Sequence, residues 1–552
     1  MSVSFRSYSV QELPRQGDDD REKVRVSFFD DLGREMKTAD YPVVHPEEVY
    51  KAIDEGHPID LNGAYIHGLD LSVYRERNGI EEDRVIELPP FSAREAFFDH
   101  EWRTNLGAAH FTGEKVDMAR ACSAHGDMRF HKARFPEGGL DLSGGWFGQG
   151  DLDMKFAVFQ KGELDLEEAR FGNGRISFVN AEFGEGAINF RNALLGDGDL
   201  DFHFARFSNG NICFDGVVLG VGKMDMRKAD LGDGRFDMRR AYVGEGDVLF
   251  DESEFRKGKV NFRSTTFGKG ELSFRLTDLG EGDVIFDKAD FGEGNITFRK
   301  ASLDRVSFRD CHIDHYMDLR VAEANSIDLS DTVLRGLIDM IPPSSMEVGV
   351  LYLIRVRNLG QLFIDWELNQ VEKLIEGQSD TDHQEKADQY RILKQDFSSI
   401  GQYDSEDRAY VRFKRHERMA LLQRHLAKNE WNALWAYPST AFGWLVFDKM
   451  GKYATSPLRV FISILVVYSF FSAVYAFLPM VLEGGIVPEE NANGLIDNLL
   501  KGIYHSGVPF LKGGGEDHHA VGHFRWISAL EGFIGVFLMS YFTVAFVRKI
   551  LR

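Results

Sequence analysis

A repeat of twelve residues constrains the fold of this 552-residue chain more than any other feature. From Phe111 to Ser302 it runs through sixteen units without an insertion, as in FGNGRISFVNAE from Phe171 and FGEGNITFRKAS from Phe291. Position 1 is nearly always Phe, Leu or Val, position 4 is glycine in all but the first unit, positions 6 and 8 are apolar, and position 11 is usually alanine. Repetition at a fixed short period is typical of solenoids, whose units stack along one axis.

The spacing of the apolar positions predicts short strands. Positions 6 and 8, and then 11 and 1 of the next unit, are two residues apart, so each pair points to the same side of an extended chain. Two units then make one coil of 24 residues with four inward walls. Coils stacked about 4.8 Å apart would form a rod roughly 38 Å long from sixteen units. The Gly-x-Gly at positions 2 and 4 is interpreted as a corner where glycine adopts a positive φ.

The small residue at position 11, followed two places later by a large apolar one, resembles the pentapeptide-repeat pattern. The resemblance covers residues 58–335 and includes IDLNGAYIHGLDLS from Ile59. It implies a right-handed quadrilateral β-solenoid, although the inward centres here alternate at five and seven residues rather than a uniform five. Such a rod is either a rigid scaffold or a surface for a protein partner or ligand, and its outward positions repeat no catalytic constellation.

Two apolar segments follow near the end of the chain. Val460 to Leu482 carries no charge and at about 1.5 Å per residue would span roughly 35 Å, more than the ~30 Å hydrocarbon core of a bilayer. Trp526 to Val547 is similar and contains one carboxylate, Glu531. Basic residues flank the two outer ends, which predicts a multi-pass protein of the inner (cell) membrane with both termini in the cytoplasm. These basic residues are Lys449, Lys452, Arg459, Arg548, Lys549 and Arg552.

The segment between the two spans is predicted to dip back into the membrane. Gly494 to Leu511 has the length of a short amphipathic helix, and it is followed by KGGGED. Backbone that is not helical is tolerated at membrane depth only where protein or a water-filled cavity surrounds it, and glycine carbonyls can line an ion path. With YHSG before the glycines and ISALEGFIGVFLMSYFTVAFVRK after them, residues 446–552 resemble the two-transmembrane, pore-loop, potassium-channel-like family of bacterial ion channels.

That resemblance implies a homotetramer around one axis, with a pore helix and filter at 494–517 between the two spans. The potassium-selective signature of that family, TVGYG, would fall on residues 511–515. This segment lacks the Thr and the Tyr of the signature, so selectivity for potassium is not expected. Glu516 and Asp517 would form acidic rings that favour cations, while Lys512 would form a basic ring that opposes them. His505 and Glu531 are expected to support the pore helix. The alternative for Glu531 is that it merely lies close to the membrane–water interface. The predicted filter comprises Leu511, Lys512, Gly513, Gly514, Gly515, Glu516 and Asp517.

Residues 336–445 are predicted to form an α-helical connector, with two helices separated at Gly401. The stretch from Ala387 to Leu422 resembles the helical segment that joins pentapeptide repeats to a pore module in bacterial membrane proteins. Its second helix is basic, which indicates either a solvated face or a contact with anionic membrane lipid. The basic residues are Arg412, Lys414, Arg415 and Arg418. Residues 1–57 are expected to be a partly disordered N-terminal segment.

Composition excludes several classes of function. The formal charge of −22 argues against binding of nucleic acid. The three cysteines have neither disulfide-framework nor zinc-ligand spacing, and no cofactor is predicted. No arrangement of Ser, His, paired carboxylates or metal ligands indicates an enzyme. Four histidines after the first span suggest either a metal or pH-sensing role or coincidence: His505, His518, His519 and His523.

Two functional hypotheses follow from these features. The first is a homotetrameric ion channel, conducting cations through a non-potassium filter and regulated by a cytoplasmic β-solenoid. The second is a membrane-anchored interaction scaffold whose pore has degenerated. A third hypothesis is a DNA-mimicking pentapeptide protein that acts on a topoisomerase. It would explain the acidity of the rod but not the presence of the two apolar spans.

Overall fold

The computed structural model describes residues 7–14, 21–30, 32–98, 103–123, 126–342, 347–428, 433–480, 484–487, 495–511 and 519–551. The chain forms two compact units, Met1–Ser379 and Asp380–Arg552. The first unit contains a β-solenoid, and the second contains helices that include the two apolar spans.

The solenoid has about 13 turns, because one of its faces is a parallel sheet of 13 strands. Within the repeats, paired strands lie 24 residues apart: Leu140 pairs with Leu164, and Leu164 pairs with Ile188. This confirms the predicted coil of two twelve-residue units, with a short strand on each of four faces. The strands of the 13-stranded face are Ile59–Asp60, Phe91–Ser92, Val116–Asp117, Leu140–Asp141, Leu164–Asp165, Ile188–Asn189, Ile212–Cys213, Phe236–Asp237, Val260–Asn261, Asp283–Ile285, Ser302–Ser307, Glu323–Asp328 and Glu347–Tyr352.

The other three faces are built in the same way. A 12-stranded sheet contains Thr104–Asn105, Met128–Arg129, Leu152–Asp153, Ile176–Ser177, Leu200–Asp201, Met224–Asp225, Val248–Leu249, Leu272–Ser273, Ile296–Thr297, Tyr316–Asp318, Leu337–Asp339 and Gln361–Phe363. The third face contains Tyr65–Ile66, Phe97–Phe98, Cys122–Ser123, Trp146–Phe147, Arg170–Phe171, Val218–Leu219, Tyr242–Val243, Thr266–Phe267, His312–Ile313, Val333–Leu334 and Arg357–Asn358. The fourth contains Ile86–Leu88, Ala109–Phe111, Arg134–Phe135, Val158–Phe159, Glu182–Phe183 and Arg206–Phe207, and isolated bridges continue it.

The core consists of the positions that the repeat predicted to point inward. Phenylalanines at position 8 stack coil upon coil: the rings of Phe250 and Phe274 are 4.8 Å apart, as are those of Phe274 and Phe298. These three side chains are fully buried. Alanine at position 11 is also buried, as at Ala181 and Ala193. Stacked aromatic rings combine large apolar burial with favourable ring-to-ring contact, so these columns stabilise the stack.

The prediction for the Gly-x-Gly motif holds only in part: at position 2, Gly196, Gly232, Gly280 and Gly292 have positive φ of 52–62°, but the position-4 glycines do not. Position 10 of each unit is the one that regularly adopts a positive φ, and there it is mostly non-glycine, with φ of 55° at Arg240 and 58° at Lys228. The glycine at position 4 is needed for close approach between coils. A Cβ on Gly174 would lie 2.0 Å from the carbonyl oxygen of Gly150, and one on Gly246 would lie 1.9 Å from that of Gly222. The position-4 glycines therefore form ladders in which any side chain would strike the backbone of the preceding coil.

The N-terminal residues extend the solenoid. Strand β2 (Lys23–Phe29) pairs antiparallel with both β1 (Ser7–Leu13) and β3 (Glu35–Val44), and β3 pairs in parallel with Tyr65–Ile66. Alternate residues of β2 are buried because they cover the apolar end of the first coils. The described part of the predicted N-terminal segment is thus continuous with the rod, and helices α1 (Pro46–Glu55) and α2 (Leu71–Asn78) follow.

At its other end the solenoid continues beyond residue 335, where it was predicted to end, so the first part of the predicted α-helical connector is β-strand instead. The last strand is Gln361–Phe363, and the short helix α3 (Val371–Glu376) follows with Val371, Leu374 and Ile375 buried. The Asn369 side-chain amide donates to the carbonyl of Met340 at 2.7 Å. Helix α3 therefore covers apolar surface that the last coil would otherwise expose.

The second unit is helical. Helices α4 (His383–Ser399) and α5 (Tyr403–Lys428) form a hairpin that turns at Gly401, where φ is +75°. The predicted break between two connector helices is therefore present. Next come α6 (Ala433–Gly443), a π-helix (Trp444–Lys449), α7 (Pro457–Phe477), α8 (Leu495–Leu511) and α9 (Phe524–Ile550). Two short antiparallel strands, Gly484–Val487 and His519–Gly522, lie between α7 and α9, and a 3-10 turn (Leu478–Met480) follows α7.

Helices α7 and α9 are long and apolar enough to cross a membrane, with mean hydropathies of 2.2 and 1.8. In the most apolar 18-residue stretch of each helix, only 28% of α7 and 22% of α9 is buried within the chain. The core helix of a soluble protein, in contrast, is mostly buried. The structure therefore bears out the prediction of two long apolar helices that could form a two-helix transmembrane domain.

Candidate functional site

The segment between α7 and α9 folds back against both helices. Its two ends are joined, since Gly484 pairs with Gly522 in the short antiparallel sheet. Helix α8 packs closely on α7 at Gly502, where an added Cβ would lie 2.4 Å from the carbonyl oxygen of Ser472. The Tyr468 hydroxyl of α7 also donates to the carbonyl of Ile503 at 2.6 Å. The three helices consequently form one packed group with α8 as its middle element.

A buried polar cluster ties the three helices together. Glu531 on α9 is fully buried and accepts a hydrogen bond from the Tyr475 hydroxyl of α7 at 2.8 Å. Its other carboxylate oxygen accepts a hydrogen bond from the Ser506 hydroxyl of α8. A buried carboxylate must be compensated by hydrogen bonds or charge, and two hydroxyl donors provide part of that compensation here. One side chain is thus bonded to both neighbouring helices, while support of a pore by Glu531 stays a prediction.

His505 lies beside this cluster. Its ring is 3% exposed and meets the Tyr475 ring edge to face, with centroids 4.7 Å apart and planes at 86°. Tyr475 therefore contacts both residues for which pore support was predicted. Neither Tyr475 nor Ser506 could be selected from the sequence, because hydroxyl side chains in an apolar helix become informative only once their partner is known.

Most of the predicted filter lies outside the described residues. Leu511 is the last residue of α8. Lys512, Gly513, Gly514, Gly515, Glu516 and Asp517 fall in the undescribed interval between α8 and the strand His519–Gly522.

Replacing Glu531 with leucine is expected to lower the unfolding free energy of the helical unit by about 2–4 kcal/mol. The substitution would leave the Tyr475 and Ser506 hydroxyls buried without their acceptor, and an unsatisfied buried polar group costs about 1–3 kcal/mol. Glu531→Gln should cost clearly less, because an amide offers one acceptor and one donor to two hydroxyls that can rotate. Thermal unfolding of the purified protein in detergent measures both losses. Equal losses for the two variants would contradict a hydrogen-bonding role.

At the opposite end of α7, the chain enters the helix through an unusual turn. Lys452, Tyr453 and Ala454 have φ of 46°, 57° and 62°, three consecutive left-handed residues, each of which costs roughly 1–2 kcal/mol. Specific bonds hold the turn: the Tyr453 N–H donates to the carbonyl of Phe447 at 2.6 Å, and the Ala454 N–H donates to the Tyr541 hydroxyl of α9 at 2.9 Å. This joint between the connector and the first span therefore has a defined shape.

Asp448 in the π-helix is the ionic centre of that joint. It is 3% exposed and accepts two-pronged hydrogen bonds from Arg415 of α5 at 2.8–3.1 Å, with Arg418 at 3.5 Å. Arg418 also donates to the Tyr453 hydroxyl at 2.6 Å. Two of the residues predicted to form a basic face are thus engaged by one carboxylate. The pKa of the neighbouring Lys452 is lowered, mainly by burial and to a smaller extent by repulsion from nearby arginines.

The far end of α9 is bound to the beginning of α5. Arg548 donates to Asp407 at 2.9 Å, and its guanidinium lies 4.5 Å from the centre of the Tyr410 ring. Lys549 donates to Asp404 at 2.8 Å, and this hydrogen bond lowers the pKa of the Asp404 carboxyl. Both side chains at the end of the second apolar helix are therefore held by the connector, so that movement of α5 would move the end of α9.

The chain matches no family model, no curated protein and no solved structure. Within the described ranges, no group of three or more His, Cys, Asp or Glu side chains could hold a metal ion. Cys122, Cys213 and Cys311 are free thiols, and burial raises the pKa of Cys311 to about 12, which makes it a poor nucleophile.

Proposed function

We propose that this protein is a membrane ion channel formed by several copies of the chain, four by the resemblance of its C-terminal part to pore-loop channels. The observation that carries the proposal is the buried cluster of Glu531, Tyr475 and Ser506, which fixes the helix between the two apolar helices against both of them. A loop that merely connected two spans in solvent would need no such attachment. A pore helix needs it, because its end must be held in a fixed position beside the ion path.

Assembly accounts for the surfaces that a single chain leaves apolar. Large side chains on α7 and α9 are widely exposed, including Val466 at 64%, Phe470 at 62% and Phe533 at 75%. Lipid can cover part of this surface. A glycine-rich filter at membrane depth, as the resemblance implies, would require neighbouring protein or water instead, because bare backbone groups are not tolerated against lipid. Several copies around one axis would provide both.

The aromatic side chains of α6 and the π-helix favour a membrane boundary next to the joint. Trp435 is 83% exposed, and Phe442 and Trp444 are also exposed. Trp is enriched where a membrane meets water, because its ring is apolar and its N–H is polar. Lys449 lies 5.2 Å from the centre of the Trp444 ring, which adds a cation at the same level. With basic residues beyond each span, this arrangement supports a cytoplasmic position for α4 and α5.

Cation conduction is the selectivity that the predicted filter favours. Four copies of Glu516 and Asp517 would place acidic rings at one end of the glycine run, against one basic ring from Lys512. Electrostatic attraction by such rings raises the local concentration of permeating cations. The solenoid and the α4–α5 hairpin would regulate the pore from the cytoplasm.

Reversing the charge at residue 516 tests this proposal. In proteoliposomes containing the full chain, wild-type protein should conduct K⁺ and Na⁺ in preference to Cl⁻. Glu516→Lys should reduce cation flux about tenfold, equivalent to ~1.4 kcal/mol in the barrier. Glu489→Lys is a matched control, because it reverses an acidic residue between the same two spans but outside the predicted filter, and its flux should equal that of wild type.

Two results would count against the channel. The first is wild-type flux no greater than that of protein-free vesicles, which would favour the alternative of a membrane-anchored interaction scaffold with a degenerate pore. The second is a purified particle that native mass spectrometry finds to be monomeric in detergent, because one chain alone cannot surround an ion path.

A further inference from the structure

Two histidines meet inside the α4–α5 hairpin. His383 is the first residue of α4 and His416 lies in the middle of α5, and their Nδ1 atoms are 2.9 Å apart. His416 is only 8% exposed, and the fully buried ring of Tyr390 stacks on it at 5.7 Å with planes 22° apart. This contact joins the two helices near the end of the hairpin that lies opposite the Gly401 turn.

A hydrogen bond between two imidazole nitrogens requires one donor and one acceptor. At least one of the two rings must therefore be neutral. When both rings are protonated, both Nδ1 atoms carry hydrogen and both rings are positively charged, so attraction at 2.9 Å is replaced by repulsion. Histidine is the side chain whose ordinary pKa, about 6.5, makes this change possible under mildly acidic conditions.

The charged groups on the helices around the pair have partners of their own. Just before α4, the N-cap residue Asp382 accepts from the Glu385 N–H in a capping box, and on α4 Asp388 pairs with Arg391. On α5, Lys414 pairs with Glu417, and Arg424 donates to Gln384. From the π-helix, Asp448 is bound by Arg415. These carboxylates already have hydrogen-bond or ion-pair partners. They would have to leave those partners in order to neutralise a doubly charged histidine pair.

We propose that the His383–His416 contact is a pH-sensitive clasp, which holds α4 on α5 at neutral pH and opens in mildly acidic solution. The sign follows from the hydrogen-bond chemistry. The stabilising contact is present while one ring is neutral and is lost when the second ring takes up a proton as the pH falls. The clasp therefore favours the closed hairpin at higher pH and the open hairpin at lower pH.

The clasp has a mechanical route to the second apolar helix. Asp404, Asp407 and Tyr410, on the same helix as His416, hold the end of α9 through Arg548 and Lys549. Loosening α5 from α4 would change the position from which α5 holds α9. Regulation of ion flux by this route rests on the proposed channel function, whereas opening of the clasp does not depend on it.

Hydrogen–deuterium exchange of the full chain in detergent tests the clasp directly. After correction for intrinsic exchange rates, amides of α4 should exchange at least about fivefold faster near pH 5.5 than near pH 7.5. His383→Asn should abolish this pH dependence, because an amide can donate to a neutral His416 or accept from a protonated one. His425→Asn, which removes an exposed histidine from the last turn of α5, should retain the wild-type pH dependence.

Exchange that is independent of pH in the wild-type protein would overturn the proposal, and so would a His383→Asn variant that keeps the wild-type pH dependence. If His383→Asn does not fold, His416→Gln provides the reciprocal test and should also lose the pH dependence. Flux measured at the same two pH values separates the two proposals. A clasp that opens in a protein without flux contradicts only the channel, and a conducting protein without pH-dependent exchange contradicts only the clasp.

Discussion

Gly222→Val is expected to lower the unfolding free energy of the solenoid by more than about 4 kcal/mol, among the largest effects of a single substitution. A Cβ at this position would lie 2.1 Å from the carbonyl oxygen of Gly198 in the preceding coil. The obstacle is backbone rather than a flexible side chain, so relief requires two coils to separate and their inter-coil hydrogen bonds to lengthen. Denaturant unfolding of the purified chain, followed by far-ultraviolet circular dichroism, measures the loss.

Gly144→Asn is the matched control for Gly222→Val. Gly144 has φ of +62°, which would ordinarily identify it as the more sensitive of the two glycines. It occupies position 10 of the repeat, however, where residues such as Arg240 and Lys228 adopt the same conformation, and the nearest atom to an added Cβ is 3.4 Å away. The control should change stability by less than about 1 kcal/mol. Equal losses at both sites would show that φ, rather than the approach between coils, explains the glycine repeat.

The glycine ladder also shows how far the repeat predicts the fold. Burial, coil length and the four walls follow from which positions are apolar, since in and out alternate along any strand. The reason for the position-4 glycine does not follow from the pattern. Glycine is favoured where φ is positive and also where another backbone comes close. The sequence shows a glycine in both cases and therefore cannot distinguish them. The distance between Gly222 and Gly198 decides between them only after the coils are stacked.

The helical unit was predictable to a different degree. A long apolar sequence with few charges is sufficient to identify α7 and α9, and the lone carboxylate in the second apolar segment drew attention to Glu531, which is bonded to Tyr475. Its partners could not be predicted, because Tyr475 and Ser506 are ordinary residues until three helices bring them together. Asp448 was missed for the same reason, because a single acidic residue before a span does not indicate a role. Its role depends on Arg415 and Arg418, which belong to a helix that is distant in the sequence.

Asp448→Ala is expected to lower the unfolding free energy of the helical unit by about 3–5 kcal/mol, the usual result of removing one partner from a buried ion pair. Arg415 and Arg418 would lose the carboxylate between them, and the desolvated guanidiniums would repel one another. The left-handed turn should loosen as well, since the Lys452 N–H donates to the Asp448 carbonyl and Arg418 bonds the Tyr453 hydroxyl. Thermal unfolding in detergent measures the stability, and exchange of the turn amides measures the loosening.

Asp404→Ala separates this effect from the loss of any acidic residue. Asp404 also pairs with a basic side chain, Lys549 at 2.8 Å, but its side chain is 86% exposed, and exposed pairs contribute only about 0–1 kcal/mol. Burial should therefore make the two substitutions differ by at least about 2 kcal/mol. If Asp448→Ala is as mild as Asp404→Ala and leaves exchange around Tyr453 unchanged, the joint is held by packing rather than by the buried carboxylate. In that case α5 has no ionic hold on the entrance to the first span, and its ionic influence on the apolar helices must pass through Arg548 and Lys549 at the end of α9.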